Sequence, residues 1–214
     1  MFNVLIFLVI ALIGIILYLT ITKKKYWKFI LVILIIIIAV LLLIGFRFTA
    51  SSALPFGSNV IESVDTNYGK AILYEDGTDH AFGLAKINRS LGFLYHYSGG
   101  TFDYMVEGNE PFQAAGFGND KGFMVGVKTS NPNIKYIVVG DHLENSTPSD
   151  PYNFNMETVE KYPERYHVEE LVADYAFFVL DEYSEATWTI RALDKEGNLI
   201  ADKLFGAGEA RNID

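Results

Sequence analysis

The chain has 214 residues, enough for one domain with appended segments. It carries 26 acidic and 17 basic residues, for a net charge of −9, but all 26 acids lie after position 47, where only 12 of the basic residues lie, so that part alone carries −14. Such a surface repels phosphate backbones and anionic headgroups and argues against nucleic acid and surface lipid as its partners, while the absence of cysteine excludes disulfides, thiolate metal sites, iron–sulfur clusters and thiol catalysis.

Residues 1–21 read as a first transmembrane helix, since 2–19 are apolar apart from Asn3, Tyr18 and the near-neutral Gly14. Residues 22–28 (TKKKYWK) form a basic linker too short to fold alone. Residues 29–47 read as a second transmembrane helix, because 29–46 (FILVILIIIIAVLLLIGF) contain no polar side chain. A bilayer core of about 30 Å takes about 20 such residues in a helix. Tyr26, Trp27 and Arg47 flank the run as interface anchors. Its many Ile and Val residues would favour a strand in water, but in lipid a lone strand leaves its backbone groups unpaired, so a helix is expected.

Lys23, Lys24, Lys25 and Lys28 set the orientation. Basic residues stay inside, which puts the linker in the cytoplasm and both termini outside, with the acidic part extracytoplasmic. The expected location is a bacterial cell membrane, with the lipid bilayer as first partner. Ser51-Ser52-Ala53 satisfies a small-x-small cleavage rule, and cleavage there would release the outer part.

Residues 48–59, small, polar and proline-containing, read as a juxtamembrane linker, and residues 60–214 as an extracytoplasmic acidic β-rich domain. Short apolar runs with period-two alternation predict strands over 68–74 and 81–87. Ser98-Gly99-Gly100, between 91–97 and 102–107, predicts a hairpin, and so do residues 118–122 between 112–117 and 123–128. The near-continuous apolar run 134–139 (IKYIVV) predicts a strand buried on both faces. Residues 141–155 read as the longest loop, after which Asn155 caps a short helix over 156–162, stopped by Pro163. Residues 167–173 suit helix or strand, 175–180 (YAFFVL) a strand, and 188–193 and 199–205 a third hairpin around residues 194–198. The sum is a sandwich or strongly bent antiparallel sheet with one or two short helices.

Motifs that carry chemistry are scarce. Asp79-His80 and Asp141-His142 with Glu144 offer metal-ligand types without the spacing of a zinc hydrolase, and read as turn and surface residues. Residues 116–122 lack the Gly-Lys-Ser/Thr ending of a phosphate loop, and residues 194–198 place glycine wrongly for a calcium loop. No nucleophile elbow occurs, no catalytic residue can be named and no cofactor is implied. Tyr95, Tyr97, Phe102, Tyr104, Tyr152, Phe154, Tyr162 and Tyr166 could line a groove, though core and cross-strand pairing explains most of them. Two helices, a lysine-rich linker and a cysteine-free acidic outer domain resemble the plan of small envelope proteins of Gram-positive bacteria, a likeness of organisation alone.

Three functions remain open. The first is a membrane-anchored binding module for a protein, an envelope component or, given the acidic charge, a cationic peptide. The second is an accessory or sensor subunit of a membrane complex, whose helices would pack through Gly14, Ala39 and Gly45. The third is an envelope hydrolase using carboxylates.

Overall fold

The computed structural model describes residues 27–77, 80–104, 110–119, 122–142, 152–181, 188–204 and 208–213, together with Gly14 and Tyr18. Helix α1 spans Trp27–Leu43. A 3-10 turn at Ser51–Ala53 follows, and then strands β1 (Ser58–Thr66), β2 (Gly69–Asp76), β3 (Phe82–Ser90), β4 (Leu94–Tyr104), β5 (Gln113–Asn119), β6 (Gly122–Lys128) and β7 (Tyr136–Asp141). Helix α2 (Met156–Lys161) precedes β8 (Tyr166–Glu170), β9 (Tyr175–Leu180), β10 (Trp188–Leu193), β11 (Leu199–Lys203) and β12 (Arg211–Asn212).

The strands form three antiparallel sheets, ordered β1-β2-β3-β4, β5-β6-β9 and β12-β11-β10-β7-β8. The three-stranded sheet lies in the middle of a stack. Alternate side chains of a strand point to opposite faces. On one face Val125, Val127, Ala176 and Phe178 join Ile137, Val139, Ile190 and Ala192 of the third sheet. On the other, Met124, Tyr175 and Phe177 join Ala71, Leu73, Phe82 and Leu84 of the first. Burial on both faces is why β9 reads as an unbroken apolar run. A Cβ on Gly126 would lie 2.9 Å from both Leu73 and Leu84, so glycine there lets the first sheet approach.

The two outer faces are also covered. Ala50, Ala53 and Leu54, from the stretch between α1 and β1, bury against Ile72, Tyr74, Ala85 and Ile87. On the third sheet, Phe154, Val159 and Tyr166 cover Val138 and Leu193. Asn155 caps α2 as its position predicts, accepting from the Thr158 N–H at 3.1 Å. The hairpins at 118–122 and 194–198 are present, and residues 166–170 resolve as strand.

The hairpin expected at Ser98-Gly99-Gly100 is not there. β4 runs unbroken through Ser98-Gly99-Gly100, with an extra residue where its register against β3 shifts between Lys86 and Ile87. A Cβ on Gly100 would run into the Leu84 carbonyl, so the glycines permit a bulge and a close strand approach instead of a reversal. The chain reverses earlier, at Leu91 (φ 52°) and Gly92 (φ 78°).

Helix α1 is 17 residues long, and among the described residues no helix is long and apolar enough to cross a membrane. The helix stops at Leu43, short of the expected residue 47, because Gly45 (φ 94°) ends it. The N–H groups of Gly45 and Phe46 return to the carbonyls of Leu42 and Leu41, a Schellman closure.

Candidate functional site

The β8–β9 hairpin is where two sheets part. Ala173 (φ 47°) and Asp174 (φ 72°) occupy the left-handed central positions of a tight turn. Val172 and Tyr175 exchange backbone hydrogen bonds of 2.9 and 3.0 Å across it. Beyond that pair, β8 bonds to β7 in the third sheet and β9 to β6 in the middle sheet. Stacked sheets lie about 10 Å apart, so the strands diverge into a wedge. Tyr175 spends its outward N–H and C=O on Val172, and by alternation Phe177 and Val179 aim theirs the same way. Among the described residues no strand pairs with that edge of β9.

Strand β1 forms the opposite wall, with Val64 packed against the cluster that contains Tyr175 and Phe177. Glu62 is in register with Leu73, which lies over Gly126, the β6 partner of Phe177. Glu62 therefore stands level with Phe177. Glu169 of β8 faces it closely enough for their charges to interact. Partial burial, and then the Glu62 charge, hold the Glu169 carboxyl above its ordinary value. Among the described residues neither carboxylate has an ion-pair partner. β1 and β8 are largely exposed.

The Tyr175 end of the notch is neutralised. Glu75 accepts from Lys128 Nζ at 2.7 Å and from Tyr175 Oη at 2.6 Å. Burial pushes the Glu75 carboxyl up, but these donors outweigh it and hold it below its ordinary value. Tyr175 is pushed up, first by burial and then by Glu75.

The residues singled out in the sequence fall elsewhere. Lys23, Lys24, Lys25 and Tyr26 lie outside the described residues, while Trp27 and Lys28 open α1. Arg47 pairs its backbone with Tyr95 and sends Nη1 to the Leu42 carbonyl at 2.7 Å. Asp79 and Glu144 lie outside the described residues. His80 approaches Glu75 at 3.6 Å, His142 bonds Thr189 at 2.8 Å and His167 stacks on Trp188. Among the described residues no group of three His, Cys, Asp or Glu is placed to hold a metal.

Of the eight aromatics, the structure gathers Tyr152, Phe154 and Tyr166, around a residue the sequence reading passed over. Arg191 is fully buried, with its guanidinium 4.4 Å from the Phe154 ring and 5.7 Å from those of Tyr152 and Tyr166. The cross-strand register Arg191–Asp202–Arg211 is the signal that would have found it, and that register is not visible before the strands are paired.

An open cleft of about 840 Å³ lies beside the β10–β11 turn, lined in part by Asn131, Lys135, Asp194, Glu196 and Asn212. Its carboxylates are engaged, Asp194 with Asn198 at 2.8 Å and Glu196 with Lys195 at 3.4 Å, so it presents no free acid–base pair. Comparison of the chain with family models, with curated proteins and with solved structures finds no match.

Proposed function

We propose that the chain is a membrane-anchored binding protein whose outer domain takes an extended basic peptide along the free edge of β9. The observation that carries this reading is the Phe177–Val179 edge, unpaired among the described residues and walled by β1 and β8, with Glu62 and Glu169 close enough for their charges to interact. An added strand satisfies the outward backbone groups, and cationic side chains relieve the repulsion between the two carboxylates. The supporting context is the net charge of −14 beyond position 47.

The anchor rests on α1. Phe29, Val32, Ile35, Ile36 and Val40 are exposed around the helix, while Ile30, Ile33, Ile37 and Leu41 form a less exposed stripe at helical spacing. Apolar side chains on every face suit lipid, and the stripe suits packing on residues 1–21 as a second span. Ile44, half exposed, continues the apolar surface just past the end of the helix. Lys23, Lys24, Lys25 and Lys28 favour a cytoplasmic linker and an extracytoplasmic domain.

The test is titration of the full-length protein in nanodiscs with an extended peptide in which pairs of lysines alternate with pairs of valines, so that cations reach both walls, and with its glutamate–valine counterpart. The lysine peptide should bind, with an affinity that falls as salt rises. Replacing Glu62 and Glu169 together by glutamine should weaken it about tenfold, at roughly 0.7 kcal/mol per rim charge. Equal affinity for both peptides, or for neither, would sink the reading.

A further inference from the structure

The β3–β4 hairpin stands apart from the rest of the domain in charge. Residues 80–102 contain no Asp or Glu, the longest such stretch after Glu62, yet they include Lys86 and Arg89. The tip of this hairpin is apolar and bare. Leu91 is 46% exposed and Phe93 56%. Leu91 holds φ 52°, a left-handed conformation that disfavours branched apolar side chains and that asparagine or glycine would take at lower cost. A strained, solvent-facing leucine beside a solvent-facing phenylalanine gains nothing for a domain surrounded by water.

The tip adjoins the end of α1. Arg47 and Tyr95 exchange backbone hydrogen bonds of 2.7 and 2.8 Å, an isolated antiparallel bridge that ties the segment after the helix to β4. Phe46 is buried and meets the His96 ring at 5.1 Å. Burial pushes the His96 imidazole below its ordinary value. The antiparallel bridge carries the chain from Phe46 toward the tip, so that Phe48, 54% exposed, is one residue nearer to it. Arg47 also donates to the Leu42 and Phe46 carbonyls at 2.7 and 2.9 Å, so the junction is braced and not a loose tether.

We propose that the β3–β4 tip, with Phe48, enters the interface of an anionic bilayer and fixes the outer domain against the membrane. Leu91, Phe93 and Phe48 supply the buried apolar area. Lys86, Arg89 and Arg47 supply the cations for the headgroups, the first two from an acid-free stretch of the sequence. The bilayer is the fitting occupant because the Arg47–Tyr95 bridge ties β4 to the end of α1, where Leu43 and Ile44 stand at 85% and 50% exposure. The inference rests on the reading of α1 as a membrane anchor.

The chain has no cysteine, so single cysteines can carry an environment-sensitive fluorophore in the full-length protein. Probes would be placed at Phe93→Cys, at Ile36→Cys in mid-helix, and at Lys195→Cys, an exposed position in the β10–β11 turn. The protein is reconstituted in vesicles containing phosphatidylserine and headgroup-proximal spin-labelled lipid. Quenching of the probes at 36 and 93 but not at 195 is expected. Adding Lys86→Gln and Arg89→Gln should lower the tip's membrane partition about fivefold per lost cation in anionic vesicles, and not in zwitterionic ones. An F93C probe that behaves like the K195C probe while I36C is quenched overturns the tip insertion and leaves the anchor standing. An unquenched I36C probe overturns both.

Discussion

Asp202 and Arg191 are both fully buried and sit opposite each other on β11 and β10, yet the carboxylate is spent elsewhere. Arg211 donates to its two oxygens at 2.6 and 3.1 Å, and Tyr152 Oη donates at 2.6 Å. Arg191 Nη2 donates to the Asp141 carbonyl at 3.1 Å, and among the described residues its Nε and Nη1 have no hydrogen-bond partner. Three aromatic faces offset part of the cost of burying that cation, but two buried donors without such partners remain unfavourable. The two residues should therefore respond oppositely to mutation. Asp202→Asn removes the only buried anion of the group and should cost about 3–5 kcal/mol. Arg191→Met keeps the volume, removes the orphaned donors and leaves the Asp202–Arg211 pair intact, so stability should change by less than about 1 kcal/mol or rise. Thermal unfolding of the two variants in detergent decides it. If Arg191→Met proved the more damaging of the two, the ring contacts would be contributing more than cation–π energies allow.

At the scale of the element, β9 can be tested without dismantling it. The N–H of Val179 points to the open edge, so Val179→Pro leaves the β6 ladder whole, and proline is tolerated on edge strands of this kind. The variant should fold, with a loss of about 1–2 kcal/mol for the Val side chain, and should no longer bind the lysine–valine peptide. Retained binding would show that the peptide lies elsewhere. Acidification gives a second reading of the same notch. Glu169 has its folded carboxyl raised, so the folded state binds this proton more tightly than the unfolded one. Lowering the pH through that titration therefore relieves the Glu62–Glu169 repulsion and stabilises the fold, while peptide binding, which needs the ionised form, weakens. Glu169→Gln should flatten both dependences, as followed by titrating stability and affinity between neutral and mildly acidic pH.

How much of this was legible follows from what is local. The Asn155 cap, the strand at 175–180 and the turn at 194–198 depend on residues within a few positions of one another, and the sequence pattern finds them. Ser98-Gly99-Gly100 misled because glycine serves a close backbone approach as well as a reversal, and the neighbour that decides, Leu84, is remote in the chain. The notch was hidden for the same reason. Glu62 and Glu169 meet only because three sheets stack with the narrowest in the middle, and no spacing in the chain encodes that.

For the whole molecule, the sidedness of charge and the braced junction bear on one question raised by the proposed anchor, which side of a membrane the stack would occupy. The chain has no acid before Glu62, four lysines at 23–28, and a domain of −14 joined to α1 through the braced Arg47–Tyr95 bridge. A domain so joined cannot swing to the other side; its orientation is that of the helix. The absence of cysteine makes the orientation measurable with one substitution, Lys195→Cys, at a side chain 81% exposed in the β10–β11 turn. In intact bacterial cells expressing the full chain, a membrane-impermeant maleimide should label this cysteine to the extent reached after lysis. The basic linker would then lie inside, as positive charge requires, and the β9 notch would face partners outside the cell. Labelling only after lysis would invert the molecule, leave the four lysines on the far side, and direct the search for a basic partner to the cytoplasm.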